Sequence, residues 1–270
     1  MEGFPSGLTA ITYEVGDDGV ATVTLDRPDA YNAFNASMCY EMAAMWAHVR
    51  EDDAVRAVVV TGAGEKAFCT GIDRSEVPSE GGAEFTFSPF TYEDPGKQLG
   101  PRSNECWKPV VVAINGMACG GAFYLLGEAD VLIAAEHATF FDPHVTYGMP
   151  AVFEPALMLQ RMPFGEVLRM TLLGNHERIG AARALEIGLV TEVLPADELL
   201  DKAVWIGERI AMSPPLAIQG TLKAAWMTHE LGRRDAHAQM SNVVLLGTEY
   251  ANIEAGQKSF HEGREKTRTR

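Results

Sequence analysis

Basic residues are scarce in this chain: 22 Lys and Arg stand against 37 Asp and Glu, a formal net charge of −15. Contacts to phosphate backbones need clustered Lys and Arg, so neither a nucleic acid nor an anionic membrane surface is the expected partner. The opening MEGFPSGLTA has no basic stretch followed by an apolar core, which argues against a secretory signal. No apolar run is long enough for a membrane span, because Asn115, the neighbouring glycines, Glu128 and Asp130 interrupt the longest one. Cysteine is limited to Cys39, Cys69, Cys106 and Cys119, with no CxxC pair, and these read as reduced, packed thiols of a cytoplasmic protein. There is no GxSxG elbow for a serine hydrolase. HExxH and Cys/His clusters are also missing, so no metal is expected.

What is present is a 270-residue globular composition, 47% hydrophobic and 22% charged. The stretch from Lys108 to Pro150 organises it. The β-branched run Val110 to Ile114 predicts a buried strand, and Gly116, Gly120 and Gly121 supply a turn in which backbone can approach a ligand. A helix beginning near Gly120 or Gly121 would aim unpaired N–H groups into that turn, the arrangement that stabilises a developing oxyanion. Tight strand-to-helix packing explains the same glycines equally well.

Along the rest of the chain, alternation predicts strands over residues 9–15 and 20–25. A helix from Ser37 to Arg50 follows, with Ser37 as its cap and the Met38, Met42, Met45, Trp46 stripe as core. Ala57 to Thr61 is a buried strand. The turn at Thr70 to Asp73 offers a second set of backbone N–H groups. Gly62-x-Gly64 lacks the remaining residues of a phosphate or dinucleotide loop. Between Pro78 and Pro101, the four aromatics Phe85, Phe87, Phe90 and Tyr92 predict a flap over an apolar ligand rather than a solvated loop, with simple local packing as the alternative. Later helices are predicted over Arg161 to Thr171, Ile179 to Ile187, Asp197 to Met212 and Pro215 to Glu230, with a third tail helix to about Leu246. A strand is predicted over Leu189 to Val193. The broad apolar faces of the tail call for a partner.

These motifs together resemble the enoyl-CoA hydratase/isomerase (crotonase) superfamily over nearly the whole chain. Asp26-Arg27-Pro28-Asp29-Ala30-Tyr31-Asn32-Ala33 is similar to its R-P-x-x-x-N-A segment, and Thr61-Gly62-Ala63-Gly64 with Ala67 to Asp73 to its TGxG…AFCAGxD motif. Lys108-Pro109-Val110 through Asn115-Gly116, Gly120-Gly121 and Ala129-Asp130 resembles its KPVIAAVNG…GGG…CD block. The resemblance implies an α/β fold, a spiral of ββα units spanning residues 1–196, followed by a helical oligomerisation region over 197–270 that makes trimers or dimers of trimers. It implies an acyl-CoA thioester substrate, with coenzyme A entering only as part of that substrate and no separate cofactor. Its thioester oxygen would lie between the N–H groups of Ile72 and Gly121. CoA would lie against Arg27, Ala30 and Tyr31 and the turn containing Thr70, Gly71, Asp73, Arg74 and Ser75, beside Gly120, with Phe260 and Arg264 closing over it.

The chain departs from the hydratase pattern at the water-activating carboxylates. Tyr124 stands at one of those positions, and the other falls in Asp142-Pro143-His144, where the glutamate is replaced by His144. The glycine-rich turn beyond reads Gly148-Met149-Pro150-Ala151-Val152-Phe153-Glu154-Pro155. His144, with a reference pKa of about 6.5, suits proton transfer, and Glu154 would orient it or serve as a second acid/base group. Tyr124 can donate or accept a hydrogen bond but is a poor base, with a reference pKa of about 10. Hydration of a short enoyl-CoA is therefore the least expected family reaction. The other readings are isomerisation, dehydration, cleavage of a β-keto substrate using His144, or acyl-CoA binding without turnover.

Overall fold

The computed structural model describes residues 7–75, 94–245, 247–262 and 268–269. The flap aromatics Phe85, Phe87, Phe90 and Tyr92 therefore lie outside the described residues. The opening hairpin forms as the alternation predicts: β1 (Ile11–Val15) pairs antiparallel with β2 (Val20–Leu25), and the Asp18 carboxylate accepts the Val20 N–H at 2.9 Å to close the turn. Helix α1 (Ala36–Glu51) follows. Its cap is Asn35, whose side chain accepts the Met38 N–H at 3.0 Å, and not Ser37. The chain is still extended at Asn35 because Phe34 is bridged to Ile72, so it enters the helix directly from that bridge.

The middle of the chain then alternates between two sheets. In order come β3 (Ala57–Gly62), β4 (Ala67–Cys69), β5 (Val110–Ile114), β6 (Met117–Cys119), α2 (Ala122–Glu128), β7 (Val131–Ala135) and β8 (Thr139–Phe141). Strands β3, β5 and β7 pair in parallel in a six-stranded sheet of order β1-β2-β3-β5-β7-β10, while β4, β6 and β8 lie in a four-stranded sheet of order β4-β6-β8-β9. Each circuit leaves one strand in each sheet, and this repetition is the predicted spiral of ββα units. The strands of the second sheet, three residues or fewer, were absent from the sequence reading because they are too short to show a period.

The remaining elements are α3 (Phe153–Met158), α4 (Phe164–Leu173), β9 (Ile179–Gly180), α5 (Ala181–Glu186), β10 (Glu192–Leu194), α6 (Ala196–Ala211), α7 (Pro215–Glu230), α8 (Arg233–Val244) and α9 (Tyr250–Glu262). The helix predicted from Arg161 begins only at Phe164, just after Pro163, and Arg161 falls in the link between α3 and α4. Arg161 instead donates to Gly127 O at 3.2 Å and to Ala129 O, closing the end of α2; burial pushes its guanidinium pKa down to about 10. The strand predicted over Leu189 to Val193 begins later. Gly188 turns with φ +81°, and the N–H groups of Leu189 and Val190 go to Ala184 O at 2.9 and 3.3 Å, which uses those residues to terminate α5. Ile179, expected in a helix, pairs with Phe140 in the smaller sheet.

Alternate residues of the parallel strands face opposite layers. Val58, Val60, Val110, Val112 and Ile114 join the main core with Met38, Met42, Met45, Trp46 and Phe123. Val59, Val111, Ala113 and Ile133 form a second layer with Leu199 and Ala203 of α6. At Gly207 a Cβ would lie 3.1 Å from Val20, so α6 rests closely on the sheet. Its apolar face therefore packs on strands of the same chain. No described helix is long and apolar enough to cross a membrane, and all four cysteines are free and buried.

Candidate active site

The two turns singled out in the sequence meet. A Cβ placed on Gly71 would lie 2.9 Å from the Gly121 nitrogen, and one on Gly121 would lie 2.5 Å from the Phe34 ring and 3.3 Å from Gly71 Cα. Gly71 has φ +83°, a conformation costly for residues with a side chain, so glycine is required there by backbone and by space; Gly120 has φ +52°, though a Cβ on it would meet only ordinary contacts, 3.5 Å from Pro143. In the parallel bridge between Phe34 and Ile72, the Phe34 N–H goes to Gly71 O and the Asp73 N–H to Phe34 O, each at 2.8 Å. The Ile72 N–H consequently points away from Phe34. Gly121 immediately precedes α2, before the first intrahelical bond can use its N–H. Among the described residues neither N–H has a backbone acceptor.

The neighbouring segments are tied to these turns. Arg27 pairs with Asp73 at 2.8 Å and donates to Ala33 O at 2.6 Å, while Thr70 Oγ1 contacts Tyr31 O at 3.3 Å. Ser75 donates its N–H and hydroxyl to Asp73, and with Arg27 it holds the Asp73 carboxyl below the usual range. Fully buried Asn32 donates to Ala63 O and Ala67 O, both at 2.9 Å, which explains why an asparagine follows the short turn Pro28–Ala30. Arg27, Ala30, Tyr31, Thr70, Gly71, Asp73 and Ser75 thus form one corner. Arg74 is exposed above it and stacks 4.2 Å from the centre of the Tyr147 ring. Phe260 lies on α9, but its side chain, like all of Arg264, is outside the described residues.

On the other side of Gly120 stands His144. Its Cε1 is 3.7 Å from where a Gly120 Cβ would be, which puts the imidazole one residue from the Gly121 turn. Asp142, at zero exposure just after β8, accepts both the His144 backbone N–H at 3.0 Å and the ring Nδ1 at 2.6 Å. With Nδ1 engaged, Nε2 faces the buried Glu154 at the start of α3, 3.5 Å from Oε1. The Asp142 hydrogen bond raises the His144 pKa above the ordinary histidine value; the charges of Asp142, Glu154 and Asp94 add to this, and burial opposes it. Burial raises the Glu154 carboxyl above its usual range, against its backbone hydrogen bond and the charge of His144. Tyr124, on the first turn of α2, donates its hydroxyl to Asp94.

The ligand atoms of Asp142, His144 and Glu154 all lie within 4.8 Å of one another, a grouping that can hold a cation, whereas the sequence spacing suggested no metal cluster. The 2.6 Å Asp142–His144 contact is a hydrogen-bond distance. Two ligands on one cation with bonds of about 2.1 Å stand roughly 3 Å or more apart. The Asp142–His144 geometry is therefore that of a hydrogen bond, with Glu154 at ion-pair distance from the same ring. Sequence reasoning counted Asp142 only as part of a triplet without its glutamate, and did not consider Asp94. A carboxylate two residues before the histidine, and an Asp-Pro-Gly turn after the aromatics, were the available signals.

A spiral of parallel strands in two sheets, with paired backbone turns and an acid/base cluster beside them, defines an acyl-CoA-processing enzyme fold of the crotonase type. The enoyl-CoA hydratase/isomerase profile matches residues 16–268, and the chain belongs to that family. It is 38% identical over 259 residues to (E)-benzylidenesuccinyl-CoA hydratase of Thauera aromatica, covering 94% of this chain and 96% of that one. It is also 34% identical to carnitinyl-CoA dehydratase of Proteus mirabilis over 84% of each chain. Among solved structures it superposes on an enoyl-CoA hydratase/isomerase from Mycobacterium paratuberculosis with TM-score 0.85 and 35% identity, covering 95% of this chain and 97% of that one.

Proposed function

We propose that the chain catalyses the reversible addition of water to a 2-enoyl-CoA thioester, with Glu154 and His144 in place of a glutamate pair. The observation that carries this reading is the chain Asp142–His144–Glu154 beside the Gly71/Gly121 contact. Asp142 and Glu154 on either side of the imidazole favour its protonated form, so His144 acts as the acid and the Glu154 carboxylate as the base. Water loses a proton to Glu154 as its oxygen bonds to C3. The electron pair moves onto the thioester oxygen, where the N–H groups of Ile72 and Gly121 hold the enolate. His144 then protonates C2, and the proton on Glu154 returns to Nε2 across the 3.5 Å contact. One water is added, and both groups regain their starting state.

CoA is held against the corner formed by Arg27 to Tyr31 and Thr70 to Ser75. The names of two relatives, a hydratase and a dehydratase, support water addition or elimination over the isomerisation and cleavage readings. The first name also supports a bulky acyl group. The test is a panel of short, aromatic and β-keto CoA thioesters assayed with the wild-type chain and His144→Ala. Loss of the enoyl absorbance with a bulky enoyl-CoA, and its failure in the variant, is the expected result. Turnover of the β-keto thioester alone would replace this reading by C–C cleavage.

A further inference from the structure

We propose that Arg74, stacked on Tyr147, is a specificity-determining residue that takes a second carboxylate on the acyl group, so that the substrate class is the CoA thioester of a dicarboxylic 2-enoic acid. The inference deepens the water-addition reading above and rests on it. Acidic side chains outnumber basic ones by 37 to 22 in this chain. Arg27, Arg102, Arg169 and Arg183 each hold one of those carboxylates. Arg74 holds none among the described residues; its partner there is the Tyr147 ring, whose centre lies 4.2 Å from the guanidinium carbon. The adjacent Asp73 is engaged elsewhere. Its Oδ2 pairs with Arg27 at 2.8 Å, and its Oδ1 accepts the Ser75 N–H at 3.0 Å and the Ser75 hydroxyl at 2.6 Å.

Both members of the stack are held by backbone. The Ser75-to-Asp73 bonds close a tight turn with Arg74 at its tip, two residues after the oxyanion donor Ile72. Tyr147 ends the short helical turn His144–Tyr147, beyond which Met149 donates its N–H back to His144 O at 3.0 Å. The side chain of Arg74 therefore leaves the CoA corner, where its backbone lies, and reaches the turn that carries the acid/base histidine. Ile72 serves the thioester oxygen and His144 the carbon next to the thioester. A guanidinium that bridges these two turns stands beside the acyl part of the substrate rather than beside the phosphates of CoA.

A guanidinium lying over a ring uses its face for the cation–π contact, and its in-plane N–H groups match a carboxylate in two parallel bonds. Arg74 and Tyr147 are both exposed, so the charge is open to a ligand in the cleft. A bound acyl chain would displace the water that screens it and strengthen the pairing. In a chain of net charge −15, a further anionic group on the ligand is repelled unless a local cation receives it. Arg74 supplies that cation.

The experiment measures dissociation constants of saturated, unreactive thioester pairs on the full chain: succinyl- with butyryl-CoA, glutaryl- with valeryl-CoA and adipyl- with hexanoyl-CoA. Members of a pair differ by a carboxylate in place of a methyl group, so their ratio cancels the contacts made to CoA itself. The wild-type chain should favour the dicarboxylic member of at least one pair, and less so as salt is added. Arg74→Gln should lower that ratio by about 10-fold or more, the equivalent of one charged hydrogen bond, and Arg74→Lys by less. Tyr147→Leu should lower it too, because the ring no longer holds the guanidinium in place. No preference in any pair would overturn the proposal. So would an Arg74→Gln variant that weakens both members by the same factor, a result that assigns the residue to the CoA phosphates. Should Arg74→Gln fail to fold, Tyr147→Leu and the salt dependence decide by the same ratio. Turnover is read separately with glutaconyl-CoA, pent-2-enoyl-CoA and an aromatic enoyl-CoA. A chain inert toward all of them defeats the water-addition reading, while the saturated pairs still decide the role of Arg74. Hydration of pent-2-enoyl-CoA by a chain with no preference for any dicarboxylic thioester defeats only the role of Arg74.

Discussion

The Nε2 atom of His144 stands 3.5 Å from Oε1 of Glu154, while Nδ1 of the same ring is 2.6 Å from Asp142. An imidazole between two buried carboxylates is held protonated to higher pH than a free histidine. Replacing it by alanine is expected to lower kcat by about 10²- to 10⁴-fold, the range for loss of a proton-transfer group, with the unfolding midpoint little changed. Steady-state rates on a bulky enoyl-CoA check this, and a variant as fast as wild type would remove His144 from the mechanism.

The pH profile follows from the signs of the two shifts. Activity needs Glu154 ionised and His144 protonated, so kcat should rise through a carboxylate pKa above the usual range and fall through a histidine pKa above its usual value. Asp142→Asn removes the main cause of the histidine shift. Its alkaline limb should move to lower pH, and a limb that stays in place means that another group titrates there.

Glu154→Gln separates activity from stability. Because burial raises the folded-state pKa, the unfolded chain ionises first as pH rises, and stability falls through that window. A neutral amide escapes this cost, so the variant should lose most of its turnover yet unfold at neutral pH no earlier than wild type. Calorimetry at acid and neutral pH reads the difference. A large drop in the neutral midpoint would show that the carboxylate serves the fold.

His144 has the opposite consequence for stability. Its raised pKa contributes stability that is complete below the ordinary histidine range and is lost as pH rises through the raised value. Asp142→Asn should therefore be less stable than wild type in mild acid, with the gap narrowing toward alkaline pH. A constant gap across that range would assign the effect to packing.

Gly71→Ala tests the contact between the two turns. The new Cβ would meet the Gly121 nitrogen at 2.9 Å in a backbone with φ +83°. Loss of one oxyanion donor costs about 10²- to 10³-fold in kcat, and strain adds some destabilisation. Normal turnover in the folded variant would sink the assignment of Ile72 and Gly121 as the oxyanion donors.

We also propose the trimer, or dimer of trimers, that the family resemblance implies. The tail helix α6 covers the sheet of its own chain, but Phe164, Leu168 and Leu172 on α4 are exposed at 65%, 38% and 68%. Light scattering at micromolar concentration should give a multiple of three subunits. A stable monomer would contradict it.

The fold was legible where residues act through period and length. The Val110 to Ile114 run, the alternation through Val20 to Leu25 and the glycines at positions 71, 120 and 121 carry their local structure in the chain, because strand burial, positive φ at Gly71 and Gly120 and close packing at Gly121 each restrict residue type at single positions. The order of motifs from Arg27 to Asp130 was enough to point to the family. The three-residue strands, the cap at Asn35 and the late start of β10 were not legible, since each depends on a partner far along the chain or on how a preceding helix ends. The chemistry of the site was decided by tertiary structure alone. His144 is recognisable in sequence as a candidate proton carrier, but its charge state depends on the distance to Asp142 and Glu154, and the Tyr124 hydroxyl meets its acceptor in Asp94, 30 residues away. Burial and proximity set both, and neither is a property of a residue within its own stretch of chain.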